Sequence, residues 1–254
     1  MSTSITRGVE LLIMRPEQRI TAIQKLLAQG GPDAFREIAA YLEGDDREVR
    51  ITAIGALGEL PVSEKIKFAL LPLTEDLDEE IRYLALEALW GYTGEDVFKA
   101  HIERLKDGDE LVRISAVEGL GELRDARAEK YLVDSLIDEE EIVRRDAAEG
   151  LGKIGAMSAI PTLQNHLQQE TSSLAKVGVY TGLYLLGSKM HLKSLLNLLK
   201  DPSYVVRCAA ANSVAVLADH ENEKGIKKAV QAALRREPTI AAQSTFQRVL
   251  DELS

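Results

Sequence analysis

An all-α fold, a solenoid of stacked helix pairs, is predicted by three observations. A short pattern returns at near-constant spacing: the pair Val112-Arg113 recurs as Val49-Arg50, Ile81-Arg82, Val143-Arg144, Ala175-Lys176 and Val206-Arg207, with a weaker copy at Gln18-Arg19, in steps of 31 or 32 residues. Each copy opens an amphipathic helix; within residues 107–123, Val112, Ala116, Leu120 and Leu123 recur at helical spacing behind an acidic start. A 45% hydrophobic content with only 5% aromatic residues suits a Leu, Ile, Val and Ala core between helices. Eight such repeats nearly use up 254 residues, so residues 1–254 read as a single array, capped by about 1–30 and 222–254.

In the first repeat, Ile5, Val9, Leu12 and Ile13 form one helical face, and Pro16 marks the turn into a second helix bearing Ile20, Ile23, Leu26 and Leu27. The second repeat carries Phe35, Ile38, Ala39 and Leu42 on its first helix, and its second helix follows Asp45 and Asp46. The third opens after Pro61, with Ile66, Ala69, Leu70 and Leu73, then Ile81, Ala85, Leu89 and Trp90. Trp90 stands where other copies have Gly58, Gly121 and Gly152; it either fills a gap at one joint or helps make a pocket with Tyr83 or Tyr92. Residues 107–123 belong to the fourth repeat, and residues 128–154 make a close copy as the fifth.

The sixth departs. Thr171-Ser172-Ser173 replaces the acidic start, Lys176 replaces Arg, and Val179, Tyr180, Leu183, Tyr184 and Leu186 make a bulkier helix, which marks either a bend or a contact site. The seventh returns to form with Asp201, Pro202 and Arg207. The eighth is degenerate: the basic anchor is lost at Ile240-Ala241-Ala242 and the spacing stretches.

Net charge of −10 opposes binding to a phosphate backbone, which needs a Lys and Arg stripe, and favours a basic protein partner. The only cysteine, Cys208, allows no internal disulfide, as expected in a reducing compartment. Residues up to Arg15 hold Arg7, Glu10 and only a short apolar run at 11–14, too little for a signal peptide or membrane span, so a cytoplasmic location and no membrane partner are expected.

Copies such as DGDELVRISAVEGLGEL, EEEIVRRDAAEGLGKIG and DPSYVVRCAAANSVAVL resemble HEAT repeats, particularly the short HEAT-like or phycobilisome-lyase-like class. The likeness covers essentially the whole chain, weaker at both ends and in the sixth repeat. It implies a right-handed superhelix in which first helices lie outside and second helices line a concave surface. Asp76, Asp107, Asp138 and Asp201 lie six positions before Arg82, Arg113, Arg144 and Arg207. The resemblance implies that these form a structural ladder of carboxylates and guanidiniums between adjacent repeats.

Relative to each anchor, core positions fall at +3, +4, +7 and +10, as in Ala53, Ile54, Leu57 and Leu60 or Ala116, Val117, Leu120 and Leu123. That leaves +1, +2, +5 and +9 for the groove: Ile51, Thr52, Gly55 and Glu59; Tyr83, Leu84 and Glu87; Ile114, Ser115, Glu118 and Glu122; Arg145, Asp146 and Glu149. Glu87, Glu118 and Glu149 are spaced 31 apart and should stack into a carboxylate row beside the apolar Ile51, Tyr83, Leu84 and Ile114. Apolar anchors beside acidic groups suit a basic or amphipathic protein segment. The plainer account is that glutamate is a good helix former at solvated positions.

Chemistry finds little support. His101, His166, His191 and His220 fall in different repeats without metal-ligand spacing. Deoxyhypusine hydroxylase, a HEAT-like enzyme, binds iron through several His-Glu pairs, and here only His220-Glu221 occurs. Cys208 beside Arg207 could have a lowered pKa if exposed, but a small groove-lining or buried thiol is the simpler account. Neither GxSxG nor Walker patterns occur, the glycines at Gly119, Gly121 and Gly152 belong to helix packing, and no cofactor is implied. The leading expectation is a non-enzymatic protein-binding module: an adaptor, an assembly factor or an inhibitor. Alternatives are a phycobilin lyase-like subunit and an immunity protein to a basic toxin; an alkylpurine DNA glycosylase of this family would need a basic groove. Oligomeric state is left open.

Overall fold

A computed structural model describes residues 14–31 and 33–253, which contain helices and no strand. The helical face expected of Ile5, Val9, Leu12 and Ile13 lies outside the described residues. The chain divides into two compact units, one up to Gly119 and one from Leu120 onward.

The first unit holds α1 (Pro16–Gln29), α2 (Ala34–Ala39), α3 (Arg47–Glu59), α4 (Glu64–Leu70), α5 (Glu79–Ala88), α6 (Glu95–Arg104) and the start of α7 (Glu110–Leu123). Short 3₁₀ turns extend α2 over Ala40–Glu43 and α4 over Leu71–Glu75, the latter with Pro72 in its first turn. Acidic residues start the inner helices, as the patterning predicts. Asp46 accepts from the Val49 N–H at 3.0 Å, Asp78 from Glu80 at 2.9 Å and Ile81 at 3.3 Å, and Asp109 from Leu111 at 2.9 Å and Val112 at 3.2 Å. Behind the caps, Ala53, Ile54 and Leu57 of α3, Ile81, Ala85 and Leu86 of α5, and Val112, Ala116 and Val117 of α7 are buried, while Leu60 is only half-buried.

The second unit continues with α8 (Glu129–Ser135), α9 (Glu141–Lys153), α10 (Ile160–Gln169), α11 (Ser173–Leu185), α12 (His191–Leu198), α13 (Tyr204–Val216), α14 (Glu223–Leu234) and α15 (Ile240–Glu252). Its core joins Leu174, Val177 and Tyr184 of α11 to Val206, Ala210 and Val214 of α13 and to Phe246 and Val249 of α15. The fold class is thus the α-solenoid type, helix pairs repeated along the chain.

The sixth repeat is a place of close contact. A β-carbon on Gly178 would stand 2.0 Å from the Arg145 carbonyl oxygen, and one on Gly182 would stand 2.1 Å from that of Ala148. Helices α9 and α11 therefore meet backbone to backbone, a separation only glycine permits. Trp90 lies just beyond the end of α5 and is 40% exposed. Tyr92 is instead buried, its hydroxyl accepting from the Ser63 N–H at 3.4 Å. No helix among the described residues is long and apolar enough to cross a membrane.

Candidate protein-binding face

The inner helices are held in register by one repeated loop device. The acid at the end of each first helix accepts a hydrogen bond from the N–H two residues on: Asp76 from Asp78 at 3.0 Å, Asp107 from Asp109 at 3.1 Å, Asp138 from Glu140 at 2.9 Å, Glu170 from Ser172 at 2.8 Å, Asp201 from Ser203 at 2.9 Å and Glu237 from Thr239 at 3.0 Å. Six residues past the acid, a guanidinium donates back to that acid's own carbonyl oxygen: Arg82 to Asp76 at 2.9 Å, Arg113 to Asp107 at 3.0 Å, Arg144 to Asp138 at 2.8 Å and Arg207 to Asp201 at 2.7 Å.

The remaining guanidinium nitrogens reach the acid of the following repeat. In the first unit Arg50 pairs with Asp76, and Arg82 with Asp107 at 2.7 and 2.9 Å. In the second, Arg144 pairs with Glu170 at 2.7 Å and Arg207 with Glu237 at 2.5 Å. The acid side chains are almost sealed from water, with 6% exposure for Asp107, 3% for Glu170 and 2% for Glu237. Burial alone would push the Asp107 carboxyl up, yet hydrogen bonds from Arg82 and from the Asp109 N–H hold it below the usual range.

Glu170, Glu237 and Gln243 are members the sequence reading missed. Glu170 lies six before Lys176, and Glu237 six before Gln243, whose amide donates to the Glu237 carbonyl oxygen at 2.7 Å. Allowing Glu for Asp and Gln for Arg at that spacing would have found all three, and it places the eighth anchor at Gln243 rather than near Ile240.

On the first unit's inner face, Ile51 and Thr52 of α3, Tyr83 and Leu84 of α5, and Ile114 and Glu118 of α7 are half-buried, and Glu59 and Glu87 are exposed. Tyr83 packs onto Leu86, Val112 and Ala116, so its ring is anchored in the core rather than standing free. Desolvation, with the nearby Glu80 and Glu87, raises its hydroxyl. Desolvation also raises the Glu87 carboxyl, and among the described residues neither Glu87 nor Glu59 has an ion-pair partner.

The second unit treats its share differently. Lys153 bridges Glu122 and Glu149, each at 2.9 Å, so one ammonium partly compensates the two carboxylates. Arg145 donates to Asp146 at 2.7 Å.

Two expected groove residues are corrected. Ser115 is 2% exposed and Asp146 6%, so neither lines an open face. A helix flanked on both sides by neighbours keeps only a narrow solvent stripe, and position +2 falls into the flank. At Asp146 the cover is the close approach of α11 through Gly178. Burial raises the Asp146 carboxyl against the lowering effect of Arg145, and its Oδ2 has no hydrogen-bond partner.

The histidines do not converge. His101 is buried, with Nδ1 on the Val97 carbonyl oxygen at 2.9 Å; His166 lies 3.3 Å from Glu170; His191 stacks on Tyr180; His220 is exposed, 3.8 Å from Glu221. Cys208 is half-buried.

Comparisons with known proteins bear on the family and the fold. The family model for HEAT repeats matches residues 9–90 and 98–183, and that for a single HEAT repeat matches 191–220. A chain of the complex of CpcE and CpcF of phycocyanin lyase from Nostoc sp. PCC7120 superposes with a TM-score of 0.66 at 20% identity, over 89% of this chain and 96% of that one. Human deoxyhypusine hydroxylase gives a TM-score of 0.40 at 19% identity, over 95% and 91% of the two chains. A designed armadillo repeat protein gives 0.39 at 19% identity, over 87% and 100%. No curated protein matches the chain by sequence. Since the repeat model spans well over half of its residues, the chain belongs to the HEAT repeat family.

Proposed function

We propose that this protein is a non-enzymatic binding module, an adaptor, assembly factor or inhibitor, whose inner face on α3, α5 and α7 captures a basic, amphipathic segment of a partner protein. A HEAT repeat fold suggests an interaction scaffold. The observation that carries the reading is Glu87. Its carboxyl is exposed yet partly desolvated, and it has no ion-pair partner among the described residues, beside Leu84 and the anchored Tyr83 ring, so an incoming cation would gain a charge partner while its apolar neighbours gain contact. Glu59, Ile51 and Ile114 extend the same chemistry. Glu122 and Glu149 share the single ammonium of Lys153, so Glu149 contributes less than its place in the evenly spaced row predicts.

The test is affinity capture with Glu59→Lys and Glu87→Lys combined. Loss of a partner held by the unaltered chain is expected, and capture at full strength by the double variant would sink this face.

A second reading draws on the likeness to the phycocyanin lyase chain: a subunit of a two-chain assembly that handles a tetrapyrrole. Incubation with a bilin, alone and with a candidate partner subunit, should then shift the visible absorption. An unchanged spectrum in both removes it.

A further inference from the structure

The chain's acidity is uneven. Residues 186–254 carry ten Lys and Arg against seven Asp and Glu, whereas the whole chain has 31 against 41. Lys193, Lys200, Lys224, Lys228, Arg235 and Arg236 are all exposed, and among the described residues none has an ion-pair partner. They lie on α12 and α14 or just past their ends.

Between those two helices runs a groove of about 740 Å³. Leu196, Ala229, Ala232 and Ala233 give it an apolar lining, and Lys200 and Arg236 line it as well. The starts of α13 at Tyr204 and α15 at Thr239 also line it. Neither helix has a side-chain cap on its first-turn N–H groups, so the positive ends of two helices form part of the lining. Glu237 is held by Arg207, and Asp201 accepts from the Ser203 N–H, a bond that does not offset its charge; Lys200, Arg207 and Arg236 still outnumber these two acids in the lining.

We propose that the groove between α12 and α14 is a second docking surface, which takes an acidic, amphipathic segment of a partner protein. Its lining of alanine and leucine accepts small apolar side chains, and its cations, reinforced by two helix starts, accept carboxylates. A polynucleotide is the poorer match. The net charge of −10 repels a long polyanion more than a short peptide, and Tyr204 is the only aromatic residue lining the groove for base stacking. This inference does not rest on the face of α3, α5 and α7, which has the opposite charge and lies in the other unit.

The test uses the full chain and a fluorescein-labelled helical peptide with Leu and Ala on one face and Glu on the rest. Controls are a Lys-for-Glu version, a duplex oligonucleotide, and vesicles rich in phosphatidylserine. The acidic peptide should bind, with a Kd raised about tenfold or more by Lys200→Glu with Arg236→Glu, or by going from roughly 50 to 500 mM salt. Glu59→Lys with Glu87→Lys should leave that affinity unchanged, so failure of one face is distinguishable from failure of the other. Both altered cations are exposed, and an unchanged thermal midpoint shows that the fold is kept. The proposal is overturned if the acidic peptide does not bind, if the double variant binds it equally well, or if the oligonucleotide or vesicles bind more tightly. Sedimentation showing a dimer that Lys200→Glu with Arg236→Glu dissociates would overturn it too.

Discussion

Arg144 grips Glu170 with two parallel hydrogen bonds, Nε to Oε2 at 2.7 Å and Nη2 to Oε1 at 3.2 Å, across 26 residues of sequence. Burial disfavours the Glu170 charge, but Arg144 and the Ser172 N–H more than compensate, and the carboxyl is held down at about 2 against an ordinary value of 4.5. A folded pKa below the unfolded one means the unfolded chain binds the proton first on acidification. The contribution is complete above about pH 4.5 and disappears as the pH falls toward 2. A shift of this size corresponds to about 3 kcal/mol. Glu170→Gln should therefore cost stability of that order at neutral pH and flatten the pH dependence of the urea midpoint below 4.5. Parallel slopes for variant and unaltered chain would contradict the assignment.

The backbone contact between α9 and α11 makes a second prediction. A methyl group at Gly182 or Gly178 would fall within about 2 Å of a carbonyl oxygen that belongs to a rigid helix, not to a flexible side chain. Helix propensity alone favours alanine there by about 1 kcal/mol. Overlap with backbone should reverse the sign, so that Gly182→Ala costs about 3 kcal/mol or more in denaturant titration. Gly225→Ala on α14, where nothing lies within 4 Å of the added carbon, should instead be neutral or slightly stabilising. Equal effects at the two positions would mean that the α9–α11 contact is looser than described.

Repeat spacing, helix order and caps could be read from the chain because each follows from local chemistry: an acid before a helix, apolar residues at its turns, an anchor every 31 or 32 positions. The ladder could be read only where its members kept their commonest identity; Glu170, Glu237 and Gln243 fill the same places with different side chains. What the patterning could not supply was the flank of each inner helix. Ser115 and Asp146 share an angular position with half-buried Thr52 and Leu84, and their burial depends on how near the neighbouring helix comes. Likewise, the even spacing of Glu87, Glu118 and Glu149 gave no sign that Lys153 would pair with the last of them and with Glu122.

His101 and Gly119 provide the last prediction. The imidazole is 1% exposed and donates through Nδ1 to the Val97 carbonyl oxygen, while Nε2 has no hydrogen-bond partner and lies against the Gly119 backbone. A β-carbon at Gly119 would stand 2.0 Å from that Nε2, so the glycine in α7 exists to admit the ring from α6. Burial lowers the His101 pKa below 6.5, and the hydrogen bond to Val97 only partly opposes this. The neutral ring is therefore the folded form. Below about pH 6.5 the unfolded chain takes up a proton that the folded chain does not, and stability falls as the pH falls through that region. Gly119→Ala should cost about 3 kcal/mol by expelling the ring. The same change made in a His101→Ala background should cost much less, since a smaller side chain leaves space for the methyl. His101→Ala alone should reduce the stability loss just below pH 6.5, the remainder belonging to His166 and His191, whose pKa burial also lowers. A double-mutant cycle from urea denaturation at pH 7.5 and 5.5 measures both effects, and an additive cycle would show that the two residues do not share this contact.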